Sequence, residues 1–398
     1  MTRTSSLAIA LLGSGVIAIT YGLARFIFGL FLPAIRADLD IGTTMAGVIG
    51  ALPFVSYVGA ILVAPFVART LGARNATAVT TAFAGAGLLA IARAPDAYVL
   101  ALGVLTCGIS TGLSSPILAE VVHAFVRGDL RGRVNATINA STSVGILAAP
   151  LAMLWWAEAW RPAYTVFAVL AGVGVVAALI QLPPPAGRIR RQQAAAAPAA
   201  RPSRGQWQDI GRMSALAATM GFVSALYWVF APDFAVQTGG VSARATAWLW
   251  LAVGLGGLLG VAAGDLVDRF GHALSHGAAL AMLAASLTLL ATAPGSLALA
   301  IVSAGVFGAA YMTLTGLYLV GSTRIMADHP AVGPVVPFLA VSCGQIAGSP
   351  VGGWLIARHD YGTAFAAFAA VGLLAALAAV WLAAPRSLVG PGLAAGEE

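Results

Sequence analysis

The chain has 398 residues, 60% of them hydrophobic and only 9% charged, with a mean hydropathy of +0.91. A soluble domain carries roughly a quarter of its residues as charges, so soluble, fibrous and disordered classes are excluded. The net charge of +7 comes from arginine alone, because the chain has no lysine; these arginines fall between apolar runs rather than along one solvated face, which excludes a nucleic-acid partner.

Apolar runs of about 20 residues, the length that crosses a ~30 Å hydrocarbon core, recur from end to end. Spans are expected over roughly 7–32, 44–68, 76–93, 97–122, 134–156 and 162–182, and again over roughly 213–232, 245–267, 275–292, 297–321, 334–356 and 363–384. The first run exceeds a signal-peptide core and leads to no small-residue cleavage site, so it reads as a retained signal-anchor helix. Between the two sets, residues 183–212 hold prolines, an alanine run and arginines, the composition of a linker. The chain thus divides into a six-helix half over 1–182, a linker over 183–212, and a second half with a short tail over 213–398.

With the N-terminus in the cytoplasm, fifteen arginines fall in cytoplasmic segments and five in external loops, with Arg25 inside a span. This positive-inside bias places both termini and the linker in the cytoplasm. The two cysteines, Cys107 and Cys343, lie in different spans and suggest neither a disulfide framework nor a metal pattern.

A shift of the sequence by about 200 positions superposes its punctuation, as two parallel repeats of a transporter would. Pro33 meets Pro232, Gly22 meets Gly221, Gly72 meets Gly271 and Pro150 meets Pro350.

The loop after span 8 reads Gly264-Asp265-Leu266-Val267-Asp268-Arg269-Phe270-Gly271. With twelve spans and a central linker, it resembles the major facilitator superfamily signature G-x-L-a-D-R-x-G at every fixed position. Gly264 is expected to allow close helix packing, and Asp268 to cap a helix N-terminus across the interface; Arg269 and Gly271 complete the gating loop. The matching loop of the first half departs from the pattern, with Arg69 in place of the aspartate. An ion pair between Arg69 and Glu120, at the end of span 4, is expected to substitute. Span 5 carries Gly145-x-x-x-Ala149-Pro150, a degraded form of a superfamily motif, and span 11 the fuller Gly344-Gln345 to Gly352-Gly353. Gly256, Gly260 and Gly264 recur every four residues on span 8, a helix-contact face. The runs Tyr21 to Phe26, Leu32-Pro33, Trp248 to Gly271 and Gly344-Gln345 also resemble the YbfB/YjiJ branch of the superfamily.

The resemblance implies an all-α membrane protein of twelve helices in two pseudo-symmetric halves, a secondary transporter in the cytoplasmic membrane and a monomer. It also implies that spans 1, 4, 7 and 10 line a central cavity. On span 1, Ser14, Ala18, Tyr21, Arg25 and Gly29 share one face at helical spacing. Arg25 lies about seven residues, or about 10 Å, inside the membrane. Such a charge costs several kcal/mol unless paired or hydrated and by default marks a pathway; snorkelling to the interface is the alternative. A guanidinium facing a cavity favours a small organic anion, because it binds carboxylates bidentately.

Tyr311, Thr315 and Tyr318 form a polar stripe on span 10, Tyr227 and Trp228 lie on span 7, and Ser110 and Ser114 on span 4. Each suits helix packing as well as ligand contact, and their convergence on the four cavity helices is what points to binding. Asp233, at the external end of span 7, is the candidate proton carrier if transport is proton-coupled; a helix-end charge is its plainer role. The histidines sit at span ends or in loops and support no metal site. No enzyme-like cluster of catalytic residues occurs at one depth, no cofactor is implied, and a nucleotide-binding P-loop needs a lysine that is absent. Efflux of hydrophobic or cationic compounds and a transporter-like receptor or scaffold remain alternatives.

Overall fold

The computed structural model describes residues 5–156, 159–184, 202–329 and 332–382, and these form helices without strands. Ten runs among them are long and apolar enough to cross a membrane, and two of the ten, Thr43–Ala92 and Ala243–Thr292, are 50 residues long. A straight helix of that length would measure about 75 Å, more than twice the hydrocarbon core. Both runs turn back on themselves. Ser56 and Gly87 each lie against the stretch around Cys107 and Gly108, and Gly256 and Ser286 each lie against the stretch around Ser303 and Gly305. The expected twelve crossings result.

The turns fall at Gly72 (φ 72°, ψ 164°) and Gly271 (φ 78°, ψ 164°). That region of backbone space is open essentially to glycine alone. The two positions matched in the sequence repeat therefore share one conformation.

In chain order the helices are α1 (Ser6–Ile17), α2 (Phe28–Leu39), α3 (Thr43–Ala92, broken at Gly72), α4 (Ala97–Phe125), α5 (Arg131–Trp156) and α6 (Trp160–Gln181). The second half holds α7 (Arg204–Gln237), α8 (Ala247–Gly257), α9 (Ala263–Thr292, broken at Gly271), α10 (Leu297–Ile325), α11 (Val335–Arg358) and α12 (Tyr361–Leu382). The seventh crossing begins at Arg204 rather than near residue 213, because Ser203 and Gln206 form a capping box that starts the helix early. Most of the expected linker, and the tail beyond 382, lie outside the described residues.

The first crossing is not one regular helix. Between α1 and α2 the chain is π-helical over Ala18–Leu23 and bends at residues 26–27. Each irregularity is satisfied from a neighbour, as buried backbone must be. The Thr111 hydroxyl donates to the Thr20 carbonyl at 2.9 Å, and the Trp250 indole, from the other half, donates to the Phe26 carbonyl at 3.2 Å.

The repeat is also visible in packing. A Cβ on Gly145 would lie 2.2 Å from the Ala18 carbonyl oxygen, and one on Gly344 would lie 1.9 Å from that of Ala218. Crossings 1 and 5, and 7 and 11, thus meet through equivalent small residues, the packing that membrane helices favour.

Contacts between the halves gather toward one side. Gly29 meets the Trp228 carbonyl, Gly353 meets Thr43, and Ser349 donates to the Gly47 carbonyl at 2.8 Å. This distal side lies opposite the linker side, where Ile9, Ala73, Val122, Val134 and Leu182 cluster within the first half.

Candidate functional site

Arg25 sits just before the bend of the first crossing and is only 8% exposed. Its guanidinium lies 4.7 Å from the ring centroids of Phe54 and Tyr57 on α3, 5.2 Å from Phe26 and 5.6 Å from Tyr21. Across the half interface, Nη2 donates to Gln345 Oε1 on α11 at 3.3 Å, and Gln345 Nε2 donates to the Tyr311 hydroxyl at 3.4 Å. Phe26 packs on Trp228 at 4.5 Å, and Trp228 meets Tyr311 edge-on at 5.2 Å. Arg25 is therefore neither snorkelling nor lipid-facing, and it links both halves.

Its charge is incompletely satisfied. Among the described residues no carboxylate pairs with Arg25, and its buried Nε has no acceptor. The buried indole Nε1 of Trp228 has no well-aligned one. Cation–π contacts contribute about 0.5–2 kcal/mol each, so four rings offset much of the several kcal/mol that a buried ion costs. They leave Nε without an acceptor.

Of the expected binding residues, Arg25, Tyr21, Trp228 and Tyr311 come together. The others do not join them. Ser110 donates to the Cys107 carbonyl at 2.6 Å, and Ser114 donates to the Thr111 carbonyl while accepting from Thr20 at 3.1 Å, so both bind helices to helices. Tyr227 stacks on Phe307 at 4.0 Å and bonds Ser303 at 2.9 Å inside the second half. Thr315 donates to the Met312 carbonyl of its own helix at 2.8 Å. Tyr318 is fully buried beside His276, their rings 5.3 Å apart, near the linker side. Gln345, Phe54 and Tyr57 belong to the centre and were not expected. Gln345 is a polar side chain within a span, the same signal that marks Arg25, although it also falls inside the small-residue motif from Gly344 to Gly353.

Toward the distal side, Asp233 on α7 is fully buried and paired with Arg36 of α2, and it accepts from the Tyr361 hydroxyl of α12. Arg36 also donates to Tyr361 at 2.8 Å and to the Ile41 carbonyl at 2.9 Å. The candidate proton carrier is thus one corner of a clasp between the halves. Its second oxygen, Oδ1, is buried without a donor.

The expected gating residues are distributed otherwise than anticipated. Asp268 accepts from Arg324 of α10 at 2.8 Å, where a helix N-terminus across the interface was expected as its partner. A strong cation was close by, and charge-assisted bonds are the stronger ones. Gly264 does not mediate close packing, for a Cβ there meets open space, whereas Gly256 and Gly260 do approach the backbone of α10. Arg269 lies over the Phe270 ring at 5.4 Å, and Gly271 makes the turn. Arg69 Nε donates to the Pro65 carbonyl of its own helix at 3.2 Å. Beside this loop, burial pushes the His272 imidazole below its ordinary value; Arg324 adds to the depression and Asp268 opposes it. Among the described residues no cluster of three or more histidine, cysteine or acidic side chains could hold a metal.

The Major Facilitator Superfamily model matches residues 15–331. No curated protein matches the chain in sequence. Among solved structures it is similar to the nucleoside transporter NupG, with a TM-score of 0.73 and 15% identity over 96% of this chain and 99% of that one. It is also similar to a D-xylose-proton symporter, with a TM-score of 0.73 and 17% identity over 95% and 98%. A POT family transporter in complex with 5-aminolevulinic acid gives a TM-score of 0.75 and 12% identity over 96% and 98%. At these identities the likeness is one of fold, and the family match carries the assignment. With its twelve crossings, its paired glycine turns and its loop signature, the chain belongs to the Major Facilitator Superfamily.

Proposed function

We propose that the protein is a secondary transporter that moves a small organic anion across the cytoplasmic membrane by alternating access, with Arg25 as the anion-binding residue. The observation that carries this reading is a buried guanidinium enclosed by rings and a neutral amide, with one nitrogen unused and no carboxylate paired to it among the described residues. A cation without a counter-ion in a low-dielectric centre gains most from an anion that arrives and leaves. Efflux of cations is disfavoured, because the aromatic faces that would receive a cation are already occupied by Arg25.

The two halves, 1–182 and 213–398, rock about this centre, with both termini and the linker in the cytoplasm and the monomer as the working unit. The distal side is then external, and the Arg36–Asp233–Tyr361 clasp belongs to an inward-facing conformer. Asp233 remains the acid on which a coupled proton would act. On the cytoplasmic side, Asp268, Arg269, Gly264 and Gly271 form one gating loop, and Arg69 with Glu120 substitutes for it in the first half. The runs Tyr21 to Phe26, Trp248 to Gly271 and Gly344-Gln345 support a position in the YbfB/YjiJ branch.

A thermal-shift screen of the purified protein against carboxylates, inorganic anions and hydrophobic cations tests the reading, since a ligand of the folded state raises its melting temperature. Anions are expected to stabilise the wild type and not Arg25→Ala. Stabilisation by cations alone, undiminished in that variant, overturns it.

A further inference from the structure

Resting on the anion reading, we infer that the substrate is a monocarboxylate with a flat, apolar body, such as an aromatic acid, rather than a dicarboxylate, a phosphate or a sugar acid. Three observations carry this.

The first is charge. Arg25 is the one cation in the centre among the described residues, and its neighbours are Tyr21, Phe26, Phe54, Tyr57, Trp228 and Tyr311, with Gln345 as the polar contact. One guanidinium compensates one carboxylate. A second negative charge at the same depth would stand unpaired in an apolar setting, which costs far more than a lost hydrogen bond.

The second is donors. Arg25 Nε is a buried N–H without an acceptor, and the buried Trp228 Nε1 has only the Tyr311 hydroxyl beside it, with no well-aligned bond; Arg25 and Trp228 are joined through Phe26, which packs on both. A carboxylate offers two acceptor oxygens and no donor, which suits this pair. Trp228 is only 4% exposed, so its N–H has no ready recourse to water.

The third is the wall. Beyond the four rings that Arg25 covers, the shell is completed by the rings of Trp228 and Tyr311, an apolar surface that suits a planar apolar body and offers few partners to a polyhydroxylated one. The tyrosine hydroxyls are the exceptions, and that of Tyr311 is already engaged by Gln345. Tyr21 is the partly exposed member of the shell and lies on the linker side of Arg25.

The test is a binding series on the purified full-length protein with benzoate, phenylacetate, succinate, inorganic phosphate and benzyl alcohol, followed by thermal shift and titration calorimetry. The two aromatic monocarboxylates are expected to bind at least tenfold more tightly than succinate or phosphate. Trp228→Phe, which keeps a ring and removes the N–H, is expected to weaken them about tenfold, and Arg25→Lys to weaken them further by losing the planar fork. Each variant is first melted without ligand, and the wild-type selectivity series stands even where a variant does not fold. Binding of succinate or phosphate as tight as benzoate, abolished in Arg25→Ala, overturns this inference and leaves the anion reading intact. Benzyl alcohol binding as well as benzoate, or no anion binding that depends on Arg25, overturns both.

Discussion

Gly72 and Gly271 occupy equivalent turns of the two halves with nearly identical backbone angles, φ 72° and ψ 164° against φ 78° and ψ 164°. Each reverses the chain between two membrane crossings, in a conformation that a side chain disfavours.

The first prediction separates this backbone requirement from packing. A Cβ at Gly271 would meet no atom within 4 Å, so Gly271→Ala is expected to destabilise by strain alone, about 1–3 kcal/mol. Gly264, in the same loop motif, has equally open space, lies in the helix and keeps an ordinary φ. Gly264→Ala is therefore expected to be neutral or to stabilise by up to about 1 kcal/mol. Melting temperatures in detergent distinguish the pair; equal losses would show that the strain argument is wrong.

The second concerns closure of the distal side. An added Cβ at Gly29 would sit 1.9 Å from the Trp228 carbonyl oxygen, a backbone atom that cannot swing away. Gly29→Ala is expected to hold the halves apart there. A cysteine introduced at Thr43 in a background lacking Cys343 should then react faster with a membrane-impermeant thiol reagent, while Gly15→Ala, which meets nothing within 4 Å, should leave the rate unchanged. Equal rates in Gly29→Ala and the parent would count against closure at this contact.

The clasp gives the third. Removing one partner of a buried ion pair typically costs 3–5 kcal/mol, because the other charge is stranded. Asp233→Asn is expected to lower stability by a few kcal/mol and to raise the same thiol reactivity. Arg36 is partly exposed and can rehydrate, so the loss should fall at the lower end of that range. A variant with wild-type melting and wild-type reactivity would exclude Asp233 from holding the distal side shut.

The fourth is a pH dependence. His272 is held below its ordinary value by burial and by Arg324, so the folded protein binds its proton less readily than the unfolded chain. The contribution is complete above about pH 6.5 and is lost as pH falls through the lower folded value. The melting temperature is expected to fall on acidification, and His272→Gln to flatten part of that fall. An unchanged slope would assign the acid sensitivity to other groups.

Much of this was legible in the sequence, and the parts that were not have physical reasons. Span length, arginine placement and the paired glycines and prolines gave twelve crossings in two halves, because membrane insertion depends on composition and turns depend on local backbone. Arg25 stood out because a charge inside a span is rare. Its partners on α3 did not, since the face that α3 turns to the first crossing depends on how a hairpin folds at Gly72. The helical spacing that put Ser14, Ala18, Tyr21, Arg25 and Gly29 on one face fails across the π-helical stretch, where bonding is i to i+5. Arg25 still lies beside Tyr21, but Phe26, expected on the opposite face, enters the ring cluster with it. Tyr227 and Tyr318 are expected at the centre because the resemblance lines the cavity with spans 7 and 10, yet membership of a span does not reveal which neighbour a buried side chain meets.

The glycine-to-backbone seams that join the halves carry a thermodynamic consequence. Contacts such as Gly29 on Trp228 and Gly353 on Thr43 are fitted by shape and bring few hydrogen bonds. Each atom pair yields about 0.1–0.2 kcal/mol, and lipid chains restore similar dispersion to an opened surface. Such a seam seals tightly against water yet parts at little cost in energy, so that the strength of closure on the distal side rests on the Arg36–Asp233–Tyr361 clasp rather than on the packed glycines.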